Sequence, residues 1–132
     1  MYRIATNEDL AEYLLSNQGL SMTKLEGINI SVTLPQDMTE VTFIRCAFEA
    51  GMTMPETMAG ALFIECQMRG VNFSHCNLFD ANFLRCDLSK ARFDHCEMSA
   101  AQFVDCQMDD TVIQGCDLDA TLLPGTYQAL AA

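Results

Sequence analysis

ALFIE, CQMRG, VNFSH, CNLFD, ANFLR, CDLSK, ARFDH, CEMSA, AQFVD, CQMDD, TVIQG, CDLDA: from Ala61 to Ala120 the chain divides into consecutive blocks of five. The third place of every block is large and apolar, held by Phe63, Met68, Phe73, Leu78, Phe83, Leu88, Phe93, Met98, Phe103, Met108, Ile113 and Leu118. The first place holds only Ala, Val, Thr or Cys, and the other three are mostly polar. Neither a helical period near about 3.6 nor strand alternation produces a strict five. The pattern instead asks for a coil in which first- and third-place side chains turn inward together while the rest face water. The register runs back through VTFIR and CAFEA at 41–50.

The cysteines obey the same count. They stand at 46, 66, 76, 86, 96, 106 and 116, ten apart with one vacancy at 56, and always at the first place. Their number is odd, and no CxxC or CxH pair exists to suggest a disulfide framework or a zinc site. They read as compact core residues.

The blocks resemble the pentapeptide-repeat family, whose pattern is a small residue, then Asn or Asp, then Leu or Phe, then two free places; ANFLR and CDLSK match it closely. The resemblance implies an all-β solenoid, a right-handed quadrilateral β-helix with four blocks and about twenty residues per coil, and about four coils over residues 41–120. Coils stacked at a strand separation of about 4.8 Å set residues twenty apart above one another. Phe63, Phe83 and Phe103 then form one interior stack, and Phe73 and Phe93 another. Cys66, Cys86 and Cys106 stack likewise, as do Cys76, Cys96 and Cys116. Their Cβ atoms, about 4.8 Å apart, exceed the usual disulfide range of about 3.5–4.5 Å.

Three stretches depart from the pattern. Gly51 to Gly60 (GMTMPETMAG) keeps the count but places Thr53 and Glu56 in inward slots. A buried unpaired carboxylate is costly, so these residues are expected to swing out as a loop. Residues 1–40 read as a capping segment. Asn7 to Asn17 has Leu10, Tyr13 and Leu14 at helical spacing with Thr6 as N-cap, and Ile28, Ile30, Val32 and Leu34 alternate as in a strand. The β-helix is expected over 41–125, closed by Pro124-Gly125, with 126–132 a short tail.

Seven Lys+Arg against eighteen Asp+Glu give a net charge of −11, which argues against direct binding to nucleic acid or an anionic membrane. The start lacks the basic flank and apolar stretch of a secretory signal, and no run reaches membrane-spanning length, so a cytoplasmic location is expected. No catalytic triad, paired catalytic carboxylates or phosphate-cradling loop is visible, and neither a cofactor nor a metal is expected. His75 and His95 occupy the same outward place on adjacent coils, as a weak pH- or metal-sensitive pair or as two solvated rings.

Two outward features remain. At the fourth place, where polar residues are expected, Ile44, Ile64, Leu84 and Val104 recur every twenty residues with Leu62 beside them. This apolar column marks either a contact with another molecule or the seat of the N-terminal helix. Between 76 and 119 nine acids face three bases, and the set Asp87, Asp94, Glu97, Asp109, Asp117 and Asp119 suggests an acidic face. Part of the family consists of quinolone-resistance proteins that mimic DNA and bind a type II topoisomerase, DNA gyrase. The resemblance therefore raises that function beside a protein-interaction module whose partner is another protein or a second copy, and beside a secreted bacterial effector.

Overall fold

A computed structural model describes residues 2–17, 19–125 and 127. The elements in chain order are β1 (Arg3–Ile4), α1 (Asn7–Ser16), β2 (Lys24–Glu26), β3 (Asn29–Ile30), β4 (Thr42–Ile44), β5 (Ala47–Phe48), β6 (Leu62–Ile64), β7 (Asn72–Ser74), β8 (Asn82–Leu84), β9 (Arg92–Asp94), β10 (Gln102–Val104) and β11 (Val112–Gln114). Every strand pair is parallel, and the strands stack on the sides of an all-β solenoid of about six turns. The first side carries the six strands β1-β2-β4-β6-β8-β10. The second carries β3 and β5, continued by single bridges through Gln67, Asp87 and Gln107, and the third carries β7, β9 and β11. The fourth is a ladder of bridges from Gly19 through Asp37, Thr57, Asn77, Glu97 and Asp117.

The turn count exceeds the expected four because residues 19–40, which lack the five-residue pattern, still build a coil. Lys24 pairs with Thr42 and Asn29 with Ala47, a spacing of eighteen residues where later coils use twenty. Ile28, Ile30 and Leu34 point inward as their alternation predicts, although only Asn29–Ile30 is paired as strand. The helix starts where the sequence places it, with the Thr6 hydroxyl accepting from the Asp9 N–H at 3.0 Å.

The interior is as the spacing predicts. Phe43, Phe63, Phe83 and Phe103 stack on the first side with centroids 5.3, 4.7 and 4.7 Å apart and rings within 8° of parallel. Phe73 and Phe93 stack on the third side at 4.6 Å, meeting Phe83 and Phe103 edge-on. From Gly60 to Ala120 every fifth residue is left-handed, with φ between 51° and 71°. These residues turn the corners. Most are not glycine, and each non-glycine corner holds roughly 1 kcal/mol of backbone strain that the bonds between coils must outweigh.

Residues 51–60 do not leave the coil. Thr53 pairs with Asn72 and Thr57 with Asn77, while Met54 and Met58 are buried. The register has slipped by one: Thr53 takes the outward place that the count of five assigns to Met52. Met54 and Pro55 fill the interior, and Glu56 stays exposed. The slip removes the buried carboxylate that made a loop the expected outcome.

Candidate interaction surface

The apolar column is assembled by the pairing of the first side. Ile44, Ile64 and Leu84 are register partners across β4, β6 and β8, and Leu84 partners Val104 of β10. All four, with Leu62, point away from the phenylalanine stack and are half-buried by their neighbours on adjacent rungs. At the N-terminal end the column is closed by Glu26, the register partner of Ile44, whose carboxylate pairs with Arg3, Lys24 and Arg45.

Helix α1 packs at that same end. Leu10 is buried with Ile4, Leu20 and Leu25, the Tyr2 and Tyr13 rings lie 4.7 Å apart, and Asn7 Nδ2 donates to the Asn29 carbonyl at 2.6 Å. Strands β1 and β2 separate this end from the column. The helix therefore caps the first coil, and the column from Ile44 to Val104 is not its seat.

The six acidic residues do not share a face. Asp87 lies on the second side, Asp94 on the third, and Glu97 and Asp117 on the fourth, with Asp109 and Asp119 in turns after the second and fourth. Three of them serve the turns: Asp87, Glu97 and Asp117 carboxylates accept the N–H two residues on, at 3.0, 2.8 and 3.1 Å. Asp37 and Asn77 do the same. Asp94 is held by Arg92 at 3.1 Å. Acids recur at these places because a short oxygen acceptor closes the turn.

Six cysteines are buried, Cys116 is half-buried, and all seven are unbridged. The Sγ atoms of Cys66, Cys86, Cys96, Cys106 and Cys116 each donate to the carbonyl twenty-three residues upstream, at 3.2–3.4 Å. Thr111, a buried first-place residue, makes the same bond through its hydroxyl at 2.7 Å. At Cys86 the Cys106 thiol pulls the pKa down, but the Cys66 thiol and burial push it up to about 12. Cys96 sits between Cys116 and Cys76 in the same way and is also pushed up to about 12. For Cys106 the Cys86 thiol and burial both raise it. Such thiols stay protonated and weakly nucleophilic. Among the described residues no group of three or more His, Cys, Asp or Glu side chains is placed to hold a metal ion. The His75 and His95 rings stack at 5.4 Å, and a Cβ at Gly115 would meet the His95 ring at 2.8 Å, so the pair continues over a residue that has no side chain.

Two groups escaped the sequence reading. Phe79 stands in the turn between the fourth and first sides, 51% exposed. Arg45, Glu65, Arg85 and Asp105 form a charged column at the fifth place beside the apolar one. The twenty-residue spacing that revealed Ile44 to Val104 carried this signal too.

The family model for pentapeptide repeats matches residues 58–94 and 86–125, in eight copies. The chain belongs to the pentapeptide-repeat family. Its solved structural neighbours include QnrB1 (a trypsin-treated R167E form), a plasmid-mediated fluoroquinolone resistance protein, at 21% identity and TM-score 0.49 over 89% of this chain and 48% of that one. A pentapeptide repeat protein of the Arabidopsis thaliana thylakoid lumen matches at 20% identity and TM-score 0.49, over 82% and 70%. Rfr23 from the cyanobacterium Cyanothece matches at 14% and 0.43, over 76% and 64%. The chain spans about half the length of QnrB1. No curated protein sequence matches it.

Proposed function

We propose that this chain is a non-enzymatic protein-interaction module that offers the first side of its solenoid to a protein partner. One observation carries the reading: four apolar side chains, Ile44, Ile64, Leu84 and Val104, stand in register on a flat parallel sheet, outside the core and away from the capping helix. Three rung spacings make the column about 14 Å long, and the backbone beneath it is fixed by bonds between coils, so a partner meets a preorganised surface. A single acidic face does not compete with it, since the six acids divide among three sides and four of them close turns or pair with arginine. Ligation of a type II topoisomerase by DNA mimicry then rests on net charge alone.

The test is the double substitution Ile64→Lys/Leu84→Lys, which adds two charges to the column and touches no third-place residue. The variant should keep the circular dichroism and melting temperature of the parent to within a few degrees. It should lose binding to whatever partner the parent retains. An unchanged partner set at unchanged fold overturns the reading.

A further inference from the structure

Beside the apolar column runs the charged one, Arg45, Glu65, Arg85 and Asp105, one residue further along the same four rungs. Its sign alternates at every rung. Within the chain the alternation is used loosely: one guanidinium nitrogen of Arg45 and one of Arg85 each lie 3.9 Å from Glu65 Oε1. Both arginine side chains remain 57% exposed and that of Glu65 45%. Asp105 has no ion-pair partner among the described residues.

An alternating column of even length is complementary to its own reverse. A two-fold axis lying between two first sides, and perpendicular to the solenoid, reverses the order of the rungs and keeps each column above its counterpart. With the axis midway between β6 and β8, Glu65 faces Arg85 of the second copy and Arg45 faces its Asp105. The apolar column meets itself, Ile64 against Leu84 and Ile44 against Val104. A parallel pair has no such match. It sets like charges rung against rung, or lays the charges over the uncharged column of Thr42, Leu62, Asn82 and Gln102.

We propose that the occupant of the first side is a second copy of this chain, docked antiparallel through an isologous contact whose register the charged column sets. The proposal rests on the reading of that side as the interaction surface and supplies its partner. Four rungs of three residues give a footprint of about 19 Å by about 10 Å. That is well under the ~800 Å² per partner of a standard interface, so the dimer is weak, with a dissociation constant on the order of 0.1–1 mM. Charge at such a contact acts mainly by excluding wrong registers.

Sedimentation of the full chain from about 10 μM to about 1 mM should show a concentration-dependent dimer. Glu65→Arg alone sets arginine against arginine twice per dimer, and Arg85→Glu alone sets glutamate against glutamate. Each should weaken self-association about tenfold or more with circular dichroism unchanged. An equimolar mixture of the two variants should associate as well as the parent, since every facing pair is again opposite in sign. A parent that stays monomeric at about 1 mM, single variants that self-associate normally, or a mixture that gains nothing would each overturn the antiparallel dimer. If the parent is monomeric but Ile64→Lys/Leu84→Lys still abolishes capture of another protein, the second copy is wrong and the interaction surface stands. If that double variant changes neither, both readings fall.

Discussion

A cysteine at the first place of a block fills a narrow corner and gives its S–H to a carbonyl of the coil below. Alanine fills the corner in part and leaves that carbonyl without its extra donor. Cys86→Ala should therefore cost about 1 kcal/mol in denaturant melts, whereas Cys86→Phe, forced between the stacked rings, should cost more than about 3 kcal/mol. Equal losses would mean that the side chain does not point inward. The same thiols carry a pH signature. A thiol with an ordinary value of 9.0 gives up its proton in the unfolded chain three units before Cys86 or Cys96, both pushed up to about 12, does so in the folded one. Between those limits the unfolded state binds fewer protons, so stability falls as pH rises. The contribution is complete below about pH 9 and declines above it. The denaturant midpoint should drop progressively through that window, and less steeply in Cys86→Ala/Cys96→Ala. At this scale the sequence was nearly transparent, because first-place and third-place residues meet the same surroundings in every coil.

The segment from Gly51 to Gly60 shows where that transparency ends. A count of five is preserved across it, since six residues separate Ala47 from Thr53 and four separate Thr53 from Thr57, where five and five are usual. Two opposite errors cancel in the spacing, and only the strand partners reveal them. The slip turns Met54 into a core residue and Glu56 into a surface one. Met54→Ala should accordingly cost about 2–4 kcal/mol, and Glu56→Gln should stay within about 0.5 kcal/mol. A loop would give two small values in thermal melts, and an inward Glu56 would make Glu56→Gln stabilising. The eighteen-residue coil from Lys24 to Thr42 was hidden for a related reason. Its inward residues alternate as in any strand, so nothing in them announces a fivefold period. Helix α1 was legible because its signal is local: a Thr6 cap and apolar residues on one stripe.

At the scale of the whole molecule, the sides of the solenoid differ in what can be read from the chain. The apolar column and the charged column beside it both follow from a twenty-residue period once the rungs are known to be in register. The supposed acidic face did not survive, because outwardness alone does not say which side a residue faces. Turn closure by Asp87, Glu97 and Asp117 explains acids that composition had offered as a surface for binding. The expected tail at 126–132 lies outside the described residues except Tyr127, whose hydroxyl donates to the Thr111 carbonyl at 3.3 Å.

The capping of the first coil by α1 also bears on how the protein comes into being. Synthesis delivers the helix and the short first coil ahead of the repeats that follow them in the chain, so those repeats emerge onto a base that is already closed. Each later coil needs only the one beneath it, with partners twenty residues back, and at about 5–20 residues per second a new rung leaves the ribosome every few seconds. Such contacts close far faster than that. The solenoid can thus be laid down course by course in the order of translation, and its phenylalanine stack is extended one ring at a time without waiting for the C-terminal end.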